Sequence, residues 1–216
     1  MTEKTNRTEE IIRILRENYP NSKTSLKYGT PFELLIATIL SAQCTDERVN
    51  KLTPSLFTKY PAIEDFAKAK QEELEKDIYS TGFYKNKSKS VIGAAQDILG
   101  KFNGRVPDSM EELITLPGVA RKTANVVLSS AFRKAEGIAV DVHVKRVTER
   151  LGLSSQKDAE KIERDLLRII PRKDWLDISC LFIDHGRKIC NARTPLCPQC
   201  PVKNFCPSAE KFYPVR

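Results

Sequence analysis

Four cysteines crowd one short stretch of this sequence. Cys190, Cys197, Cys200 and Cys206 follow a C-x6-C-x2-C-x5-C spacing within seventeen residues. Four thiols so close together suit a four-ligand metal site better than core packing. Tetrahedral zinc and an iron–sulfur cluster both accept four thiolates. Zinc sites more often pair two short Cys-x-x-Cys knuckles, and only Cys197 and Cys200 form one here. Cys44 and Cys180 lie in apolar contexts and read as core thiols.

A second constellation is Leu116-Pro117-Gly118-Val119-Ala120, followed at once by Arg121 and Lys122. Pro117 fixes φ on entry and Gly118 permits a backbone conformation that side chains resist, so the segment reads as a tight turn into a helix. Free amides at a helix start, the positive end of its dipole and two cations make a phosphate cradle. On its own the pentapeptide fits an ordinary helix–helix connection equally well. Asp141 follows the small, apolar stretch Gly137–Val140, where an aspartate commonly caps a helix. The same helix end keeps a carboxylate ionised and able to stabilise positive charge.

The elements that must carry these residues are helical. Thr8 is the expected cap of a helix through Ile11, Ile12, Leu15 and Tyr19. Thr30-Pro31 with Glu33 forms a capping box opening a buried helix over Phe32–Ala42. Asp46 is expected to cap a helix that Pro54 limits or kinks. Shorter helices are expected at Glu64–Ala69 and Glu72–Tyr79, and another through Val91, Ala95, Ile98 and Phe102. Asp108 and Glu111 are read as capping a short helix through Leu113. Val119–Phe132, Asp141–Leu151, Asp158–Ile169 and Asp174–Ile189 complete the set. No hairpin-linked alternating strands appear, so the fold class is all-α.

The 216 residues carry 36 Lys and Arg against 28 Asp and Glu, a net charge of +8. The excess is local. Residues 81–105 hold five basic side chains and one acid, and residues 181–216 hold six and two. Cationic patches on a neutral body fit a polyanion such as nucleic acid, or simply a soluble basic surface. No apolar run approaches a membrane span, and Met1–Glu10 lacks the apolar stretch of a secretory signal. A cytoplasmic protein with reduced thiols is therefore expected.

The motifs together carry a resemblance. Leu116–Leu128 reads LPGVARKTANVVL, and Asp141, in Val140-Asp141-Val142-His143-Val144, follows nineteen positions after Lys122. With Leu40-Ser41-Ala42-Gln43, Thr81-Gly82-Phe83-Tyr84 and the cysteine-rich tail, in that order, the chain resembles the endonuclease III family of helix-hairpin-helix DNA glycosylases over almost its full length. The resemblance implies a bifunctional enzyme that excises oxidised pyrimidines from duplex DNA and cleaves 3′ to the abasic site. It assigns Lys122 as the Schiff-base nucleophile, Asp141 as the catalytic carboxylate, and a [4Fe–4S] cluster to Cys190, Cys197, Cys200 and Cys206. His143 is read as structural.

Gln43 resembles the residue that fills the vacated base stack, and Phe83 the wedge on the other strand. Gly118, Ala120, Arg121, Lys85 and Arg193 are the further DNA contacts expected. Lys85, Lys87 and Lys89 follow the wedge as phosphate contacts, and Arg187, Lys188, Arg193 and Lys203 surround the cluster. Two lobes with a DNA cleft between them are implied: a six-helix barrel over 22–133 with its hairpin at about 116–120, and a cluster lobe from 1–21 plus 134–216. The partner is double-stranded DNA with damaged bases or abasic sites, met by a nucleoid-associated monomer. Three positions depart from the pattern. Ala120 replaces a second glycine, Phe83 a more usual leucine, and Arg133–Gly137 is polar and slightly long. The alternatives are a mismatch or adenine glycosylase of the same superfamily, and a non-catalytic DNA-binding module with structural zinc.

Overall fold

The computed structural model describes residues 3–212, and among these every regular element is helical. The chain divides into two compact units, Thr24–Arg133 and a second made from Met1–Lys23 with Lys134–Arg216.

In the unit Thr24–Arg133 the central element is α2 (Pro31–Leu40), flanked by α3 (Asp46–Lys59), α4 (Ile63–Lys68), α5 (Gln71–Ile78), α6 (Tyr84–Lys101), α7 (Met110–Leu113) and α8 (Arg121–Ala131). The sequence of α2 is apolar on nearly every side, and eight of its ten residues are buried. It packs on α8, α3 and α6, and its Leu34, Leu35, Ile36 and Leu40 meet Val91, Ala95, Val127 and Leu128 in one core. Thr30 caps it by accepting from Glu33 N–H at 3.1 Å. The return arm of the box lands one residue early, on Gly29 N–H, rather than on Thr30. Two other caps also shift by one position. Thr45, not Asp46, accepts from the first turn of α3, and Ser109, not Asp108, caps α7. Asp46 instead sits in the first turn, where its charge suits the dipole. Pro54 lies inside α3 without ending it.

In the other unit, α1 (Glu3–Asn18), α9 (Val142–Arg150), α10 (Ala159–Ile169) and α11 (Ile178–Lys188) enclose a second core, and the short α12 (Ala209–Phe212) follows. Thr8 is not a cap: it lies within α1, buried, with Oγ1 donating to Lys4 O. The last long helix starts at Ile178 rather than Asp174, after a 3-10 turn at Arg172–Asp174. From Cys190 the chain runs in loops and two 3-10 turns, Cys197–Gln199 and Lys203–Phe205. No helix among the described residues is long and apolar enough to cross a membrane.

Candidate active site and cysteine-lined cavity

The turn Leu116–Ala120 joins α7 to α8. Gly118 has φ +75°, and a Cβ there would stand 2.5 Å from Ser90 Cβ on α6. No side chain fits at Gly118, in conformation or in space. Ala120 behaves differently. It is the N-cap of α8 at φ −87° and ψ 168°, extended backbone open to any residue. The missing second glycine therefore costs the turn nothing. With alanine as N-cap, the start of α8 has no side-chain cap. Arg121 and Lys122 are the first two residues of that helix, and the Lys122 side chain is exposed.

Gln43 and Phe83 lie in the same unit, both exposed, Phe83 at 62%. Each is a non-glycine residue in the left-handed region, with φ +52° and +49°. That conformation costs a side-chain-bearing residue roughly 1–2 kcal/mol. Asn103 and Arg133 share it, Asn103 in a turn before Gly104. An exposed phenylalanine held at such a cost is a surface feature rather than packing. Lys85 and Lys89 are exposed, as a phosphate-contacting role requires. Lys87 is not: it is 5% exposed, and its Nζ donates to Leu40 O at 2.7 Å and Thr81 O at 2.8 Å. It is withdrawn as a phosphate contact.

Asp141 belongs to the other unit and caps α9. Its Oδ1 accepts from the N–H groups of His143 and Val144, both at 2.8 Å. The approach from Arg133–Gly137 is fixed at Ile138, whose N–H donates to the buried Glu163 carboxylate at 3.1 Å. His143 Nδ1 lies 3.1 Å from Arg146 Nη2, which also donates to Gly186 O, in keeping with a structural role.

Cys190, Cys197, Cys200 and Cys206 line one small cavity with Arg150, Leu151, His185 and Ile189. Arg150 holds the loop that bears them. Its Nη1 lies 3.3 Å from Cys190 Sγ and donates to Asn191 O at 2.7 Å, while Nη2 donates to Ala192 O. The guanidinium stacks 4.5 Å over the Phe212 ring. On the inner side, His185 Nε2 lies 3.6 Å from Cys200 Sγ and its Nδ1 lies 3.1 Å from Tyr19 OH. Burial pushes the His185 pKa down to about 4 and the Tyr19 phenol up to about 12. A neutral imidazole in contact with a phenol and a thiol follows. Neither Arg150 nor His185 stood out in the sequence, although His185 is one of only two histidines.

Cys197, Cys200 and Cys206 are held against ionisation. Burial, and then the neighbouring cysteines, raise Cys200 to about 11 and also raise Cys206 and Cys197. A cationic centre among them reverses that preference. Cys180 is half-buried, and burial pushes its thiol up to about 11. Arg187, Lys188, Arg193 and Lys203 are all exposed around this loop.

A helix-turn-helix hairpin presenting a lysine, on an all-helical body, defines the class. Residues 36–172 match the family model described as HhH-GPD superfamily base excision DNA repair protein. The chain is 53% identical to the endonuclease III of Synechocystis sp. over 97% of its own length and 96% of the relative's. A trapped endonuclease III–DNA covalent intermediate, an estranged-adenine complex, superposes with a TM-score of 0.91 at 42% identity, covering 98% of this chain and 99% of that one. A thermostable thymine-DNA glycosylase shares the fold, with a TM-score of 0.86, 24% identity and coverage of 95% and 98%. The chain belongs to the HhH-GPD superfamily, and within it to the endonuclease III family of DNA glycosylases with abasic-site lyase activity.

Proposed function

We propose that this glycosylase-lyase releases oxidised pyrimidines from duplex DNA with Lys122 as nucleophile. The observation that carries the reading is the placement of Lys122. It is exposed on the first turn of α8, directly after a turn whose glycine admits no side chain. A covalent DNA intermediate of a structural relative supports a nucleophile of this kind. The neutral amine attacks the sugar C1′ as the glycosidic bond breaks, and the base leaves with the bonding electrons and takes up a proton. Loss of a nitrogen proton with ring opening gives the Schiff base. Removal of a C2′ proton then expels the 3′ phosphate as the C3′–O bond breaks, and water hydrolyses the imine to free the lysine.

Asp141 supplies the anion that stabilises the cationic sugar. Both cap bonds fall on Oδ1, which leaves Oδ2 for that task. A base must leave the stack before it can be attacked, and Gln43 and Phe83 support the gap it leaves. The amides around Gly118 and Ala120, with Arg121, Lys85 and Arg193, contact phosphates of double-stranded DNA.

Cys190, Cys197, Cys200 and Cys206 would hold a [4Fe–4S] cluster. When bound, it supplies a covalent cross-link across residues 190–206 and takes no part in base release. All four thiols line one cavity, and their spacing holds a single short Cys-x-x-Cys knuckle, which supports a cluster over a zinc site.

Borohydride reduction tests the assignment of Lys122. The wild type on a thymine glycol duplex yields a covalent adduct; Lys122→Arg binds the duplex but yields neither adduct nor nicks, because a guanidinium stays protonated. A fully active Lys122→Arg variant removes Lys122 from the mechanism.

A further inference from the structure

Lys87 occupies an unusual place for a lysine. Its ammonium, 5% exposed, bridges two carbonyls: Leu40 O, at the last residue of α2, and Thr81 O, at the last residue of a 3-10 turn. Unpaired carbonyls and negative partial charge gather at helix C-termini, so one cation answers both ends. Each end leads directly into a wedge residue. The chain runs three residues from Leu40 to Gln43 and two from Thr81 to Phe83. Both wedge residues hold left-handed conformations that persist only when the surroundings impose them. Arg48 adds a second tie to the same 3-10 turn through Ser80 O at 3.1 Å. Burial lowers the Lys87 pKa, so its charged form is kept at a cost that simple packing would not require.

We propose that Lys87 is a positioning residue for base extrusion: its ammonium clamps the end of α2 to the 3-10 turn and so fixes the separation of Gln43 and Phe83. This rests on the wedge reading of those two residues, and the test separates the two ideas.

Lys87→Met keeps the length and apolar stem of the side chain and deletes the donors. Two single-turnover rates are measured on the full-length, cluster-loaded enzyme: base release from a thymine glycol paired with adenine, and strand scission at a preformed abasic site. An abasic site has no base to unstack, so it depends less on the wedges. Misplacing such groups by about 1 Å costs on the order of a hundredfold. Lys87→Met is expected to slow base release by roughly ten- to a hundredfold more than it slows scission. Gln43→Ala is expected to show the same bias, and the double variant to lose less than the product of the two factors.

Equal loss on both substrates, or no loss, overturns the clamp while Gln43→Ala still shows its bias. If Gln43→Ala and Phe83→Ala both leave base release unchanged, the wedge reading itself has failed and the clamp falls with it. Should Lys87→Met not fold, Lys87→Leu, which also deletes the donors, is judged by the same criteria.

Discussion

In the proposed function Asp141 has two jobs for its two oxygens, and substitution separates them. Asp141→Asn keeps an Oδ1 acceptor for the His143 and Val144 N–H groups, and asparagine caps about as well as aspartate. It loses only the anion at the helix start, about 0.3–1 kcal/mol. For a chain of this size that lowers Tm by roughly 1–4 °C. Asp141→Ala loses the cap as well, roughly 1–3 kcal/mol in all. Stability therefore ranks wild type, Asn, Ala. The rate should rank otherwise. If the carboxylate stabilises the cationic sugar, either variant forfeits about 3–4 kcal/mol, a loss on the order of a hundred- to a thousandfold. Asn and Ala should be equally slow although Asn is nearly as stable as the wild type. The assay is single-turnover base release from a thymine glycol duplex, normalised to folded protein by circular dichroism and to visible absorbance. An Asn variant at wild-type rate, with Ala losing activity only as it loses folded molecules, would refute the chemical role and leave Asp141 a cap.

Three further substitutions probe the supports of the site. Gly118→Ala must hold φ +75° and push Ser90 away; strain of about 1–2 kcal/mol and overpacking of about 1–3 kcal/mol should lower Tm and weaken DNA binding, read by thermal melts and fluorescence anisotropy. Ser90→Gly in the same chain should restore part of the stability, because it removes the atom the new methyl strikes, and additivity of the two changes would contradict that contact. If the proposed cluster cross-links the loop bearing Arg193 and Lys203, Cys197→Ser should cost visible absorbance and DNA affinity together; a colourless, folded variant that binds DNA as well as the wild type would refute that structural role.

Much of the fold was legible because helices announce themselves by period and by caps. Thr30 and Asp141 both cap where the sequence places them. The misplaced caps share one cause: Thr45-Asp46 and Asp108-Ser109 each offer two adjacent capping residues, and propensity alone cannot choose between neighbours. Thr8 misled because its hydroxyl bonds back to Lys4 O inside a helix, the one context in which threonine does not signal a start. Arg150 and His185 were invisible for a different reason. Their partners lie 40 and 15 residues away, at Cys190 and Cys200, and no local pattern encodes such a pairing.

Lys87 is the instructive miss, because its signal was present and local. Lys85, Lys87 and Lys89 look in sequence like one cationic run. On a helix turning about 100° per residue, positions two apart point nearly opposite ways and positions four apart nearly coincide. Lys85 and Lys89 therefore share one face of α6, and both are exposed. Lys87 falls instead on the face of Val91, Ala94 and Ile98, all buried. The apolar stripe that identified α6 as a helix also required Lys87 to point inward. A buried lysine must then find acceptors, and the ends of two neighbouring helices provide them. Reading the charge run by period rather than by composition divides it into two surface cations and one internal tie.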